Sequence, residues 1–145
     1  MTGSETRAVL DTNILLAAES SKASASPNRE VFDRWLAGEF TLLVSDDVAA
    51  EYADRLARMG KTADEIAFFL ARVFLLGETV EITFFHFRHY PADPEDIGFL
   101  LCAINGQATH LVTYDRHLQQ IAPFYPDFVT CEPLVFLRHL RAVAS

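Results

Sequence analysis

The stretch AVLDTNILLA, residues 8–17, is apolar up to Asp11, Thr12 and Asn13 and then turns apolar again. A buried carboxylate without a partner is costly, so one placed here needs hydrogen bonds, water or a ligand. Alone, the interruption reads as a turn and a helix cap. The sharper reading is the carboxyl end of a buried strand, surfacing at a binding site. What the rest of the chain builds around Asp11 decides between them.

Working outward, RAVL (7–10), FTLLV (40–44), TVEITF (79–84), HLVT (110–113) and DFVT (127–130) read as five short strands. Helical patterns separate them. Ser26-Pro27 opens a helix through about Leu36, closed by Gly38. Ser45 caps a second through about Arg58, with Asp46 and Asp47 at its positive end. Thr62-Ala63-Asp64-Glu65 is a capping box for an apolar helix to about Leu76. Asp93-Pro94 starts another, stopped at Gly106; a short one follows Tyr114-Asp115, and Glu132-Pro133 opens the last. Strands alternating with helices predict an α/β domain, a central and mostly parallel five-stranded sheet with helices on both faces. Residues 1–145 are one domain's length, with 1–6 expected as a flexible N-terminal segment and 19–28 as an exposed loop.

The formal charge is −8, from 20 acidic and 12 basic residues, the wrong sign for gripping nucleic acid with the whole surface. It leaves room for local basic patches and for an acidic pocket filled by a cation. Cys102 and Cys131 match no metal-ligand spacing, and Cys102 reads as a buried thiol, which suits a reducing, cytoplasmic compartment. No apolar run reaches the ~18–20 residues of a membrane span, and MTGSETR is not a signal peptide.

In a parallel sheet, ligands sit at the carboxyl ends of the strands, where the strand order reverses. Asp11 ends the first strand and Asp115 follows the fourth. Glu51 lies in the second turn after Ser45, and Asp96 in the first turn after Asp93. Four carboxylates therefore converge on one edge. Such a cluster is stable only if a cation neutralises it, and all-oxygen ligands select hard ions such as Mg2+ or Mn2+. An ion held by few carboxylates keeps waters, one of which becomes a nucleophile toward a phosphate.

At these residues the chain resembles the PIN-domain ribonucleases, of the kind found as VapC-like toxins of toxin–antitoxin pairs. VLDTNILL, LLVSDDVAAEYADRL, DPEDIGFLLCAINGQATHLVTYDRHL and FVTCEPLVFL resemble the family's motifs in the family's order. The resemblance implies a three-layer α/β/α PIN-like fold and a Mg2+- or Mn2+-dependent endoribonuclease. It also implies an antitoxin partner and a homodimer. By motif position, Asp11, Glu51, Asp96 and Asp115 are the catalytic, metal-binding acids, with Asp93 read as the cap. Thr12, Asn13, Ser45 and Thr113 match supporting positions. Arg55, Arg58, Lys61 and Arg116, with His117 beside it, are the basic groups suited to RNA phosphates. HFRHY (86–90) lacks the further ligands a zinc site needs and reads as a partly exposed strand end or partner surface. The excess of apolar positions over Phe68–Leu76 suggests a face for a second subunit or an antitoxin segment.

A non-catalytic RNA- or protein-binding module of the same fold is the alternative; the four acids in place argue against it. A phosphatase of the Asp-x-Asp type fails at Asn13, and a phosphoryl-receiver domain fails because TVEITFFHF ends without an acid.

Overall fold

Strand β1 (Arg7–Leu10) lies at the centre of a five-stranded sheet, flanked by β2 (Thr41–Val44) and β4 (His110–Val112). Strands β3 (Glu78–Thr79) and β5 (Val129–Cys131) form the edges, giving the order β3-β2-β1-β4-β5. The computed structural model describes residues 5–20, 26–84, 86, 89, 91 and 93–144, the side chains of 18–20 excepted. Every strand pairing is parallel. Ala8–Leu10 and Leu42–Val44 are fully buried, as expected of parallel strands covered on both faces.

The helices are α1 (Thr12–Ser20), α2 (Pro27–Leu36), α3 (Asp46–Arg58), α4 (Ala63–Leu76), α5 (Ile97–Asn105), α6 (Arg116–Ile121) and α7 (Pro133–Ala144). With the sheet they make the expected three-layer α/β/α arrangement; α5 packs on β1, β2 and β4, and α7 on β4 and α2. The helix starts follow local chemistry. Ser26 accepts from the Arg29 N–H and Ser45 from the Val48 N–H, and Thr62 and Glu65 complete both bonds of the capping box. Gly38 takes the left-handed φ of +78° that ends the turn after α2. Among the described residues, no helix is long and apolar enough to cross a membrane.

The third strand is shorter than the alternation of TVEITF suggests. β2 ends at Val44, because Ser45 turns the chain into α3. β3 therefore finds partners only for Glu78 and Thr79, and the Val80 N–H takes the last acceptor, the Val44 carbonyl, at 2.8 Å. Beyond it the Asn105 side chain replaces the missing ladder. Its Oδ1 accepts from the Thr83 and Phe84 N–H groups, and its Nδ2 donates to the Phe84 and Leu101 carbonyls. HFRHY is not a strand end where it is described: His86 is exposed, and His89 stacks on Phe124 at 3.8 Å. Phe87, Arg88 and Tyr90 lie outside the described residues, as do 21–25 of the expected loop and 1–4 of the N-terminal segment. Thr6 is buried, its hydroxyl 2.8 Å from His139 Nε2 and its carbonyl accepting from the Thr41 N–H.

Two groups tie the helices to the central strands. The Tyr52 hydroxyl on α3 donates to the Leu10 carbonyl at 2.6 Å, and its ring packs near Phe69 of α4 and Phe99 of α5. His110 of β4 faces His139 of α7 with ring centroids 4.4 Å apart, its Nδ1 2.8 Å from the Thr109 hydroxyl. Burial, and then the neighbouring His139, lower the His110 pKa to about 4.

Candidate metal centre

The strand order reverses between β1 and β4, and Asp11 stands at that point. Its N–H donates to the Val112 carbonyl at 3.0 Å, so the pairing of β1 with β4 sets its position. Its Oδ1 accepts from the Thr12 N–H at 2.7 Å and its Oδ2 from the Thr113 hydroxyl at 2.6 Å. Thr113 is fully buried and also accepts from the Asp115 N–H at 2.8 Å. One hydroxyl thus couples the two acids. Burial raises the Asp11 pKa, against the bonds from Thr113 and Thr12; Asp115 raises it further and Arg55 lowers it.

Asp115 caps α6, its Oδ1 accepting from the His117 and Leu118 N–H groups. Asp93 caps the short 3-10 turn Pro94–Asp96 by accepting from the Glu95 N–H. Asp96 ends that turn just ahead of α5, rather than lying inside the α-helix. It is only 5% exposed, and its Oδ2 is buried without a hydrogen-bond partner. Burial, then Asp115, Asp93, Asp11 and Glu95, push its pKa up to about 7. Glu51, half-buried on α3, is raised by burial and by Glu95 and Asp54, and lowered by Arg55 and Arg58.

These four acids line one cavity of about 80 Å³, together with Asp93, Glu95, Thr12, Asn13, Phe99 and Arg55. Arg55 reaches Asn13 Oδ1 at 3.4 Å and is the cation among the described lining residues. The Thr12 hydroxyl is buried without a partner. Other expected residues lie outside the cavity lining. Ser45 is buried and serves as the α3 cap. Arg58 pairs with Asp54 at 3.1 Å, and Lys61 and Arg116 are likewise not among the lining residues. A larger hollow of about 460 Å³ lies between the end of α5 and Phe124–Phe128, with Asp127 as its carboxylate; the acid cluster is not part of it.

Two residues of this region have no place among the metal-site acids that the motifs indicate. Glu95 lies within Asp93-Pro94-Glu95-Asp96, where any acid in the turn is a candidate lining group. His117 was grouped with Arg116 as basic surface, yet one of its ring nitrogens and one oxygen each of Asp93 and Asp96 lie within 4.8 Å of one another. The signal was its place two residues after Asp115, in the turn that Asp115 caps.

Like-charged carboxylates packed this closely, one of them buried with an orphaned oxygen, make a donor set suited to a divalent cation. The residues present fit such an ion.

Comparison with solved structures places this geometry in a known fold. VapBC2 from Rickettsia felis, bound to a DNA fragment from its promoter, is similar with a TM-score of 0.57 and 18% identity. That match covers 86% of this chain and 97% of the other. PAE2754 from Pyrobaculum aerophilum is similar with a TM-score of 0.58 and 17% identity, over 94% of this chain and 90% of the other. Among curated proteins, no match is found. The PIN domain profile matches residues 7–117, from the start of β1 to the turn that Asp115 caps, and the chain belongs to the PIN domain family.

Proposed function

We propose that this chain is a metal-dependent endoribonuclease, with Asp11, Glu51, Asp96 and Asp115 as its catalytic and metal-binding acids. The observation that carries the reading is Asp96: a carboxylate 5% exposed, one oxygen unpartnered, lining a cavity with five further acids. Mg2+ or Mn2+ bound there would supply charge for a phosphate oxygen and a water acidic enough to attack phosphorus near neutral pH. The chain's own groups do the rest. Thr12 and Thr113 fix the Asp11 carboxylate by two hydrogen bonds, so it meets the ion without reorganising. Glu51, its pKa raised by burial and by Glu95, is suited to take a proton at the cavity wall. Arg55 is placed to hold a substrate phosphate, with Arg58, Lys61 and Arg116 extending that contact outward. Asp93 and Ser45 support the site as caps, and Asn13 by holding Arg55.

Asp11→Asn should abolish cleavage of single-stranded RNA and weaken Mn2+ binding at least tenfold, with the circular dichroism spectrum unchanged. A stringently purified variant that cuts RNA at the wild-type rate overturns the proposal.

The same reading includes an antitoxin partner and a homodimer, supported by the VapBC2 neighbour and by helix α4. That helix buries Phe69 and Val73 but leaves Phe68, Phe74, Leu75 and Leu76 exposed. Cys102 and Cys131 are free and buried, in keeping with the cytoplasmic location we assign.

A further inference from the structure

We propose that Asp93 and Asp96, which line the acid cavity, form with the neighbouring His117 a nitrogen-containing ion site that takes Mn2+ or Co2+ in preference to Mg2+. This rests on reading the cavity as a metal centre and names what selects its ion.

The geometry is compact. One oxygen of each carboxylate and one imidazole nitrogen lie within 4.8 Å of one another. Around an ion at ~2.1 Å, adjacent ligand atoms stand about 3.0 Å apart and opposite ones about 4.2 Å, so side-chain rotation would be enough to close the three groups on one ion. A second observation points to a ligand independently of the acid cluster. Asp96 Oδ2 is buried and unpartnered in a residue only 5% exposed, a placement that leaves a carboxylate oxygen unsatisfied unless something is bound. Asp93 Oδ1 accepts from the Glu95 N–H, which holds the carboxylate in place. His117 is anchored by its own N–H, donating to Asp115 Oδ1 at 2.7 Å at the start of α6.

The imidazole decides the preference. Mg2+ favours oxygen ligands and retains its waters, whereas Mn2+ and Co2+ sit higher in the affinity order for nitrogen-containing sites. Asp11, Glu51 and Asp115 offer only oxygens; His117, outside the cavity lining but grouped with Asp93 and Asp96 of that lining, adds a nitrogen to the donor set. The competing role for this side chain is electrostatic, since its Nδ1 lies 3.7 Å from Asp115 Oδ1 and a protonated ring would pair with that carboxylate.

The experiment titrates the metal-free full-length protein with MgCl2, MnCl2 and CoCl2 by calorimetry, and follows the visible absorption of Co2+. It compares wild type with His117→Gln and Asp11→Asn. His117→Gln should weaken Mn2+ and Co2+ binding tenfold or more, alter the Co2+ spectrum, and leave Mg2+ binding within twofold. Co2+ should also broaden the His117 ring signals in the wild-type proton–nitrogen spectrum, a readout that needs no variant. Unchanged Co2+ affinity and spectrum in His117→Gln, with binding lost in Asp11→Asn, overturn this proposal and leave the nuclease reading standing. A wild-type protein that binds none of the three ions at millimolar concentration overturns both.

Discussion

At the scale of single residues, Thr113 does more than its place at a strand end suggests. Its hydroxyl donates to Asp11 and accepts from the Asp115 backbone, in a fully buried setting. Thr113→Val keeps the shape and removes both bonds, leaving buried groups unsatisfied. A loss of about 1–3 kcal/mol in denaturant unfolding is expected, with a further fall in RNA cleavage. Asp11 and Asp115 were legible in the sequence because each follows an apolar strand. The choice between Asp93 and Asp96 was legible only as a choice between a cap and a first-turn acid. The structure gives the cap to Asp93 and leaves Asp96 buried with an open oxygen, a distinction of burial that no spacing records. His117 escaped for the converse reason: a histidine beside an arginine looks like basic surface until the fold sets it against Asp93 and Asp96. His110 carries a pH effect. It is neutral in the fold, with a pKa near 4, and protonates in the unfolded chain near 6.5. The unfolded state then binds more protons between those values, so stability is complete above pH 6.5 and falls as pH drops toward 4, by up to about 3 kcal/mol. The difference in thermal midpoint between His110→Gln and wild type should narrow across that interval, measured at fixed salt.

At the scale of elements, the caps were readable and the strand lengths were not. Ser26, Ser45, Thr62 and Glu65 act within three residues of themselves, so their bonds are written locally. The end of β3 is set by the end of β2, more than thirty residues earlier, and only pairing reveals it. Tyr52 likewise looks like one more apolar helix position, yet its hydroxyl holds α3 to the last carbonyl of β1, directly before Asp11. Tyr52→Phe should cost about 1–2 kcal/mol in urea unfolding. Cleavage should fall further than the unfolded fraction explains, because the strand end that carries Asp11 loosens. On α4, Leu75 is 82% exposed and Phe68 68% exposed, so charge there disturbs little of the core. Leu75→Lys should leave stability within about 0.5 kcal/mol. It should reduce self-association in light scattering if α4 is the face between two copies.

At the scale of the molecule, the topology brings residues from four separate segments to one edge of the sheet, and the cost is concentrated charge. Divalent cations should therefore stabilise the whole fold. At 100 times its dissociation constant, an ion adds about 2.7 kcal/mol, which for a domain of this length raises the thermal midpoint by roughly 5–10 °C. The rise should vanish in Asp11→Asn. The fold class was readable from alternating periodicities, and the reversal of strand order beside Asp11 follows from pairing β1 between β2 and β4. That central position also governs when the acid cavity can be completed during synthesis of the chain. β1 is made first, but one of its two neighbours is β4, and Asp115 lies 104 residues after Asp11. A nascent chain that stops short of Asp115 lacks one acid of the cavity and the cap of α6, so under the proposed function it should not cut RNA, including the message being read. A ribosome stalled before Asp115 would hold a fragment with an incomplete acid cavity, and the site would be whole only once Asp115 has been translated.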